Sequence, residues 1–332
     1  MVWQVIGHNW AVELLRSSLA TDRVAHAYLL CGPPQIGKTR LALALAQALN
    51  CAQPDPPCGQ CASCLKIARH THPDVRLIVG EGAGQSIKID QVRALQREAI
   101  LSPYEGRYRV FILRRMDLAS TEAANSLLKT LEEPPGHVVL GLTAVCAEAL
   151  PATVVSRCQC LDLRPVACNV VEAALRDKGI PAPKAQLVAR LSTGRMGWAL
   201  QACQNDAILR QRQQDLDRLI GLLSADRVER LDFAWKASRD PVTSRRLIGL
   251  WTGWWRDLLL LCGQDGSHVV NVDRNDELWS LARQSTLSQA WTVLKALQAA
   301  ATQLEANVNA RLALEGLLLK LPRWRPEAEQ VP

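Results

Sequence analysis

Three features of the sequence predict an α/β domain built on a parallel sheet, followed by helices alone. Apolar runs alternate with helical patterns from Ala27 to Leu163, a glycine-rich turn joins an apolar run to a helix at Cys31–Thr39, and after Pro165 the strand signal fades. Such alternation is how parallel strands are connected, because each crossover needs a helix to return the chain to the same end of the sheet. Of 332 residues, 48% are hydrophobic, and mean hydropathy is close to zero, as in a water-soluble globular chain. The longest apolar stretches, AYLLC and Leu258–Cys262, are far too short to span a bilayer. No basic segment followed by an apolar one opens the chain, so export is not expected and a cytoplasmic location is. Eleven cysteines, an odd number, then argue for reduced thiols or metal ligands rather than disulfides. The net charge of +7 permits contact with nucleic acid, but no long Lys/Arg run or aromatic–basic array demands it.

In chain order, NWAVELLRSSLA predicts a first helix with His8 or Asn9 near its N-cap. AYLLC is a strand and RLALALAQALN a helix, with DVRLIV (74–79) a second strand. GEGAGQ (80–85) reads as a turn or surface loop, since no suitable helix opens at its end. Ile89 to Leu101 predicts a helix with Val92, Leu95 and Ile100 on its apolar side, and YRVFIL (108–113) a buried strand. Ser120 caps TEAANSLLKTLEE, whose Leu127, Leu128 and Leu131 form an apolar stripe ended by Pro134-Pro135. Two further strands fall at His137 to Leu142 and Cys158 to Leu163. VEAALRDKG and PKAQLVARLSTG then make a small helical unit, and from Asp206 the pattern is almost wholly helical. Seven of the ten tryptophans lie beyond Ala207 and read as large core side chains. The expected boundaries are 1–165, 166–205 and 206–325, with a frayed tail at 326–332.

Two constellations carry chemistry. Gly32, Gly37, Lys38 and Thr39 stand at the spacing G-x-x-x-x-G-K-T, after a strand and before a helix. Glycines at this spacing let backbone N–H groups close around phosphate oxygens, and the helix N-terminus adds positive potential. Lys38 reaches the β/γ-phosphates and the Thr39 hydroxyl is a Mg²⁺ ligand in such a loop. Strand and helix context argues against a mere Gly/Pro turn. Cys51, Cys58, Cys61 and Cys64 offer four thiolates within fourteen residues, a set that suits tetrahedral structural Zn²⁺. A redox C-x-x-C would need a thioredoxin-like setting, which a phosphate-loop domain is not.

With these residues in view, the chain resembles the clamp-loader branch of the AAA+ superfamily. The resemblance rests on IGH (6–8), AHAYLL (25–30), the four-cysteine insertion, NSLLKTLEEPP (125–135) and Ser156-Arg157-Cys158. It implies a RecA-like AAA+ nucleotide-binding domain, a small helical lid and an all-α C-terminal collar that assembles a heteropentameric ring. The ring opens a sliding clamp and places it on primed DNA during replication by the bacterial DNA polymerase III holoenzyme. The implied partners are ATPase subunits, a clamp-opening subunit, the sliding clamp and, through the complex, primed DNA, with no membrane. Arg157 matches the family's arginine finger, a charge given in trans to the γ-phosphate held by a neighbour. His72-Pro73-Asp74, the IDQVR segment at 89–93 and Arg256-Asp257 look more like a stator subunit than a motor.

Against the motor pattern three positions depart. The two acidic residues expected at the end of the strand beside the phosphate-loop strand fall on Arg114 and Arg115, with Asp117 further on. The polar sensor position falls on Ala144, next to Thr143, and the lid arginine on Gly197, two residues after Arg195. The binding set is complete and the hydrolytic set is not, so the expectation is a subunit that binds ATP or ADP without hydrolysing it. The alternative is an active DNA-dependent ATPase motor that uses Asp117 or another carboxylate in an unusual arrangement. A zinc-containing DNA-binding regulator has little support, because no recognition helix with base-reaching side chains is apparent.

Overall fold

The computed structural model of the protein describes residues 3–82, 86–305 and 308–324. The last three residues of GEGAGQ and the 326–332 tail lie outside the described residues. Packing divides the chain into two compact units, one running to Ile180 and including Ser192–Leu200, the other comprising Pro181–Leu191 and the chain from Gln201.

The first unit is a three-layer α/β sandwich. After α1 (Asn9–Ala20), the strand β1 (Ala27–Cys31) leads to α2 (Lys38–Leu49) and the short α3 (Ala62–Ala68). The order continues with β2 (Val75–Ile78), α4 (Ile89–Ala99), β3 (Arg109–Leu113), α5 (Thr121–Glu132), β4 (Val138–Ala144), α6 (Ala152–Val155) and β5 (Gln159–Asp162). The five strands pair in the order β2-β3-β4-β1-β5, every pair parallel. Because strand side chains alternate faces, each strand feeds two cores. Tyr28, Leu30, Val110 and Ile112 pack with Leu15, Leu41 and Leu45 of α1 and α2. Leu29, Phe111, Leu113 and Leu140 pack on the opposite face with Val92, Leu95, Leu127 and Leu131 of α4 and α5. A parallel sheet covered by helices on both faces is what the sequence predicts.

One local expectation needs correction, and another is met in position alone. The α4 helix stops at Ala99, so Ile100 is 77% exposed and Ala99 takes the buried place assigned to it. His8 occupies the N-cap position of α1, but its ring makes no cap; it turns inward to the Ile36 carbonyl. Ser120, by contrast, does cap α5, its hydroxyl accepting the Ala123 N–H at 3.2 Å.

The chain continues with α7 (Cys168–Asp177), α8 (Ala182–Ser192) and α9 (Met196–Gln204), then α10 (Asp206–Ser224), α11 (Arg227–Ala237) and α12 (Pro241–Cys262). It ends in α13 (Asn275–Gln284), α14 (Leu287–Glu305) and α15 (Ala310–Lys320). The long α12 forms the axis of the second unit's core. Its Trp251, Trp254 and Trp255 are fully buried among Leu216, Leu219, Leu297 and Leu314. The reading of the late tryptophans as core residues holds for these three, and Trp324 packs against the same core partly buried. Trp235, Trp279 and Trp291 are 39–45% exposed, and Trp235 and Trp291 carry Arg239 and Lys295 over their rings.

Buried polar side chains fix the connections of this unit. Asp257 accepts the backbone N–H groups of Val270 and Asn271 and the Asn271 amide, all within 2.7–2.9 Å, so the loop after α12 is tied to its own helix. Arg230 is 4% exposed and donates to five carbonyls: Leu222, Leu223, Leu318, Leu321 and Pro322, at 2.7–3.2 Å. These carbonyls lie at the C-terminal ends of α10 and α15, where the last turns have no helical donors and negative potential accumulates. Arg230→Met is expected to destabilise this unit by about 3 kcal/mol, because the carbonyls stay buried without donors. Denaturation followed by tryptophan fluorescence checks it, with Arg230→Lys recovering only part of the loss.

Candidate functional site

The Gly32–Thr39 loop leaves the end of β1, which lies between β4 and β5. Gly32 sits at φ 139°, and a Cβ there would lie 2.4 Å from the Leu163 carbonyl oxygen, so only glycine fits. Its N–H donates to the Val145 carbonyl at 3.0 Å, which ties the loop to the chain leaving β4. The α2 helix opens at Lys38, and its unpaired first-turn N–H groups border the loop. His8, 1% exposed, backs the loop through a 3.0 Å hydrogen bond between Nε2 and the Ile36 carbonyl.

Lys38 is buried and folded back, its ammonium donating to the Gly32 carbonyl and to the Pro33 carbonyl at 2.9 Å. Burial pushes its pKa down to about 8; Asp117 opposes the change and Arg115 adds to it.

The segment after β3 explains how Asp117 and Arg115 come to act on Lys38. The strand that ends at Leu113 is not beside β1: β4 lies between them, which corrects the sequence-based expectation. Parallel register nevertheless brings the strand ends level. The Arg115 N–H donates to the Thr143 hydroxyl at 3.1 Å, and Thr143 pairs with Leu30. Arg115 itself has φ 58°, a left-handed conformation that turns the chain sharply into a 3₁₀ turn over Met116–Leu118. Its guanidinium then grips Asp117, Nε at 2.9 Å and Nη2 at 2.8 Å from Oδ2. Thr143, not Ala144, is the polar residue at this level, and its hydroxyl is engaged with the Arg115 backbone.

Gly197, the position at which the motor pattern places a lid arginine, lies directly on the loop. Its N–H donates to the Gln35 carbonyl at 2.8 Å, and a Cβ would approach that oxygen to 2.7 Å. Any side chain at 197 would push the loop away. Arg195 is not a substitute: its Nε donates to the Ser192 carbonyl at 2.9 Å, and its guanidinium lies 5.8 Å from the Trp198 ring.

Arg157 stands apart from these groups. It precedes β5, whose Gln159 pairs with Tyr28 and whose Asp162 pairs with Cys31. Since β1 and β5 run parallel, Arg157 belongs to the end of the sheet opposite the Gly32–Thr39 loop. It is partly exposed, donating to the Thr153 carbonyl at 2.9 Å and pairing with Glu132 at 2.8 Å.

The four cysteines converge. Their Sγ atoms all lie within 4.8 Å of one another, with Cys58–Cys64 at 4.0 Å and Cys51–Cys61 at 3.9 Å. Four thiolates on one tetrahedral zinc at about 2.3 Å are roughly 3.8 Å apart, so the set fits that ion. Backbone N–H groups of Gln60 and Cys61 point at the Cys58 sulfur at 3.4 and 3.2 Å and lower its pKa to about 6. They favour the thiolate, the form a metal needs.

With this geometry established, comparison with known proteins is informative. The family model for DNA polymerase III, delta subunit, matches residues 7–167. The DNA polymerase III subunit delta' of Bacillus subtilis is 29% identical over 315 residues, 93% of this chain and 94% of that protein. These two matches support a delta-prime subunit of the clamp loader. The tau subunits of B. subtilis and Escherichia coli are 34% and 33% identical, but over only 30% and 31% of their own lengths. Among solved structures, a gamma subunit-related protein from Thermotoga maritima aligns with 94% of this chain at 17% identity and a TM-score of 0.43.

The structure thus gathers Gly32, Gly37, Lys38 and Thr39 in one loop, gathers the four cysteines in another, and sets Arg157 at the opposite end of the sheet from the first. Sequence reasoning missed His8 as a support of the loop, although the IGH motif already singled it out. It also missed the Arg115–Asp117 fork, which no spacing rule announces. The Lys38 ammonium is expected to be charged at neutral pH and to lose its proton as pH rises through about 8. NMR of ε-¹³C-lysine protein checks this, and Arg115→Ala is expected to raise the midpoint by removing a repelling charge.

Proposed function

We propose that this chain is a stator subunit of the DNA polymerase III clamp loader, binding ATP or ADP without hydrolysing it. In this reading it helps load the sliding clamp on primed DNA in the cytoplasm, within a heteropentameric ring of ATPase and clamp-opening subunits. The division into a nucleotide domain at 1–165, a lid at 166–205 and a collar at 206–325 goes with it. The observation that carries the reading is the Arg115–Asp117 fork. A motor needs a free carboxylate to organise water and metal at the γ-phosphate. Here the positions expected to be acidic are Arg114 and Arg115, and the next carboxylate is taken by Arg115. The motor alternative rests on Asp117, and the same fork weighs against it.

Nucleotide would be held by Gly32, Gly37, Lys38 and Thr39, with the α2 N-terminus facing its phosphates. Arg157 would serve a neighbour, a role supported by its exposure and by its place at the sheet end remote from its own loop. Its guanidinium keeps its charge and binds phosphate in a fork, as that role requires. Cys51, Cys58, Cys61 and Cys64 would hold structural zinc, which when bound closes a loop that has little core of its own. Purified protein is then expected to carry about one zinc per chain, lost with reduced thermal stability in Cys64→Ser. Less than half an equivalent in fully reduced protein would sink that assignment.

The function is tested in the reconstituted clamp loader, varying this subunit alone. Arg157→Ala is expected to abolish the share of DNA-stimulated ATP turnover contributed by the neighbouring motor. Lys38→Ala should leave turnover within about twofold, since binding here is structural. A loss from Lys38→Ala comparable to one motor, with assembly intact, would make this chain an ATPase.

A further inference from the structure

Of the ligands that magnesium takes at a phosphate site, the described residues around the loop offer the Thr39 hydroxyl but no free carboxylate. A hard dication at a phosphate site is held by carboxylate, hydroxyl and water oxygens. Where β3 ends, this chain presents Arg114 and Arg115 instead. The carboxylate of that segment, Asp117, has a side chain only 6% exposed and accepts three contacts from Arg115 at 2.8–3.2 Å. To reach a metal, Asp117 would have to leave its guanidinium partner, and a partly buried cation would then stand beside the ion.

The placement of Arg115 suggests what takes the metal's place. Its backbone is bonded to Thr143 on β4, and Thr143 pairs with Leu30, two residues before Gly32. Two strand spacings, about 10 Å, therefore separate the Arg115 backbone from the root of the loop. A long side chain and a polyphosphate together span that distance. Asp117 takes the Nε/Nη2 edge of the guanidinium, which leaves the Nη1 donors for a second acceptor. The fields of both groups reach Lys38, which marks the fork as electrically part of the loop.

We infer that the nucleoside polyphosphate site at Gly32–Thr39 works without a divalent cation, Arg115 supplying the countercharge that magnesium gives elsewhere. This rests on the reading of the loop as a nucleotide site. The fork also defines the side on which the cation sits: Asp117 holds Arg115 in place without offering an oxygen to a metal. A fixed guanidinium neutralises phosphate charge but orients no water, which accords with a site that retains nucleotide unhydrolysed.

The test is binding of ADP and ATP to the full chain by calorimetry, with excess MgCl₂ and then with EDTA. Wild-type dissociation constants are expected to agree within about twofold between the two conditions. Arg115→Ala should bind at least about tenfold more weakly in EDTA and recover in part with magnesium, because Asp117 is freed. Arg115→Lys should keep the metal independence. The double variant Arg115→Ala/Asp117→Asn leaves no charge orphaned; it should fold normally, bind weakly and gain nothing from magnesium. A tenfold or greater loss of wild-type binding in EDTA overturns the inference while leaving the nucleotide site intact. Arg115→Ala binding as tightly as wild type in EDTA overturns it too. No binding of either nucleotide under either condition overturns the loop assignment and the inference with it.

Discussion

The site depends on β1 being held, in parallel register, between β4 and β5. That pairing delivers Gly32 to a point where an added Cβ would collide with the Leu163 carbonyl and where its N–H meets the Val145 carbonyl. Everything else about the loop follows from this anchorage. The loop can be tight because its first residue is glycine, and its residues can face inward because strand ends on both sides are level with it. A shift of one residue in either pairing would turn Cys31 and Leu29 from one core to the other. The register is thus fixed by burial on both faces, and the loop geometry inherits that precision.

Charge around Lys38 is arranged unlike that of a hydrolytic centre. The ammonium is desolvated and braced by two loop carbonyls, and its nearest charged influences are an aspartate and an arginine bound to each other. Carboxylates in a catalytic phosphate site must be available to metal or water. Here the one on hand is satisfied. The same economy shows at Gly197, whose lack of a side chain lets its backbone lie against Gln35. Gly197 is a packing contact there and offers the loop no charge.

The second unit uses polar burial differently, for definition rather than chemistry. Arg230 joins the ends of two helices distant in sequence by satisfying carbonyls that no helix can satisfy. Asp215, fully buried, is paired with Arg246 and Arg218, and Asp257 is hydrogen-bonded by the loop that follows its helix. Such groups are costly unless fully partnered, so each specifies one arrangement of the helices around Trp251 and its neighbours.

What the sequence by itself determined was whatever depends on short-range pattern. Strand and helix alternation gave the sheet class, Ser120 gave the start of α5, and the G-x-x-x-x-G-K-T and cysteine spacings named the residues of two sites. Those features are legible because neighbours in the chain are neighbours in space there. Tertiary structure alone decided the rest. That β4 separates β3 from β1, that Arg115 reaches back to Asp117, that His8 supports Ile36 and that Gly197 lies on Gln35 are all contacts between residues distant in sequence or turned by a left-handed backbone. Ile100 and the outward tryptophans show the same limit, since hydrophobic periodicity counts apolar residues but does not say where a helix stops or which face is covered.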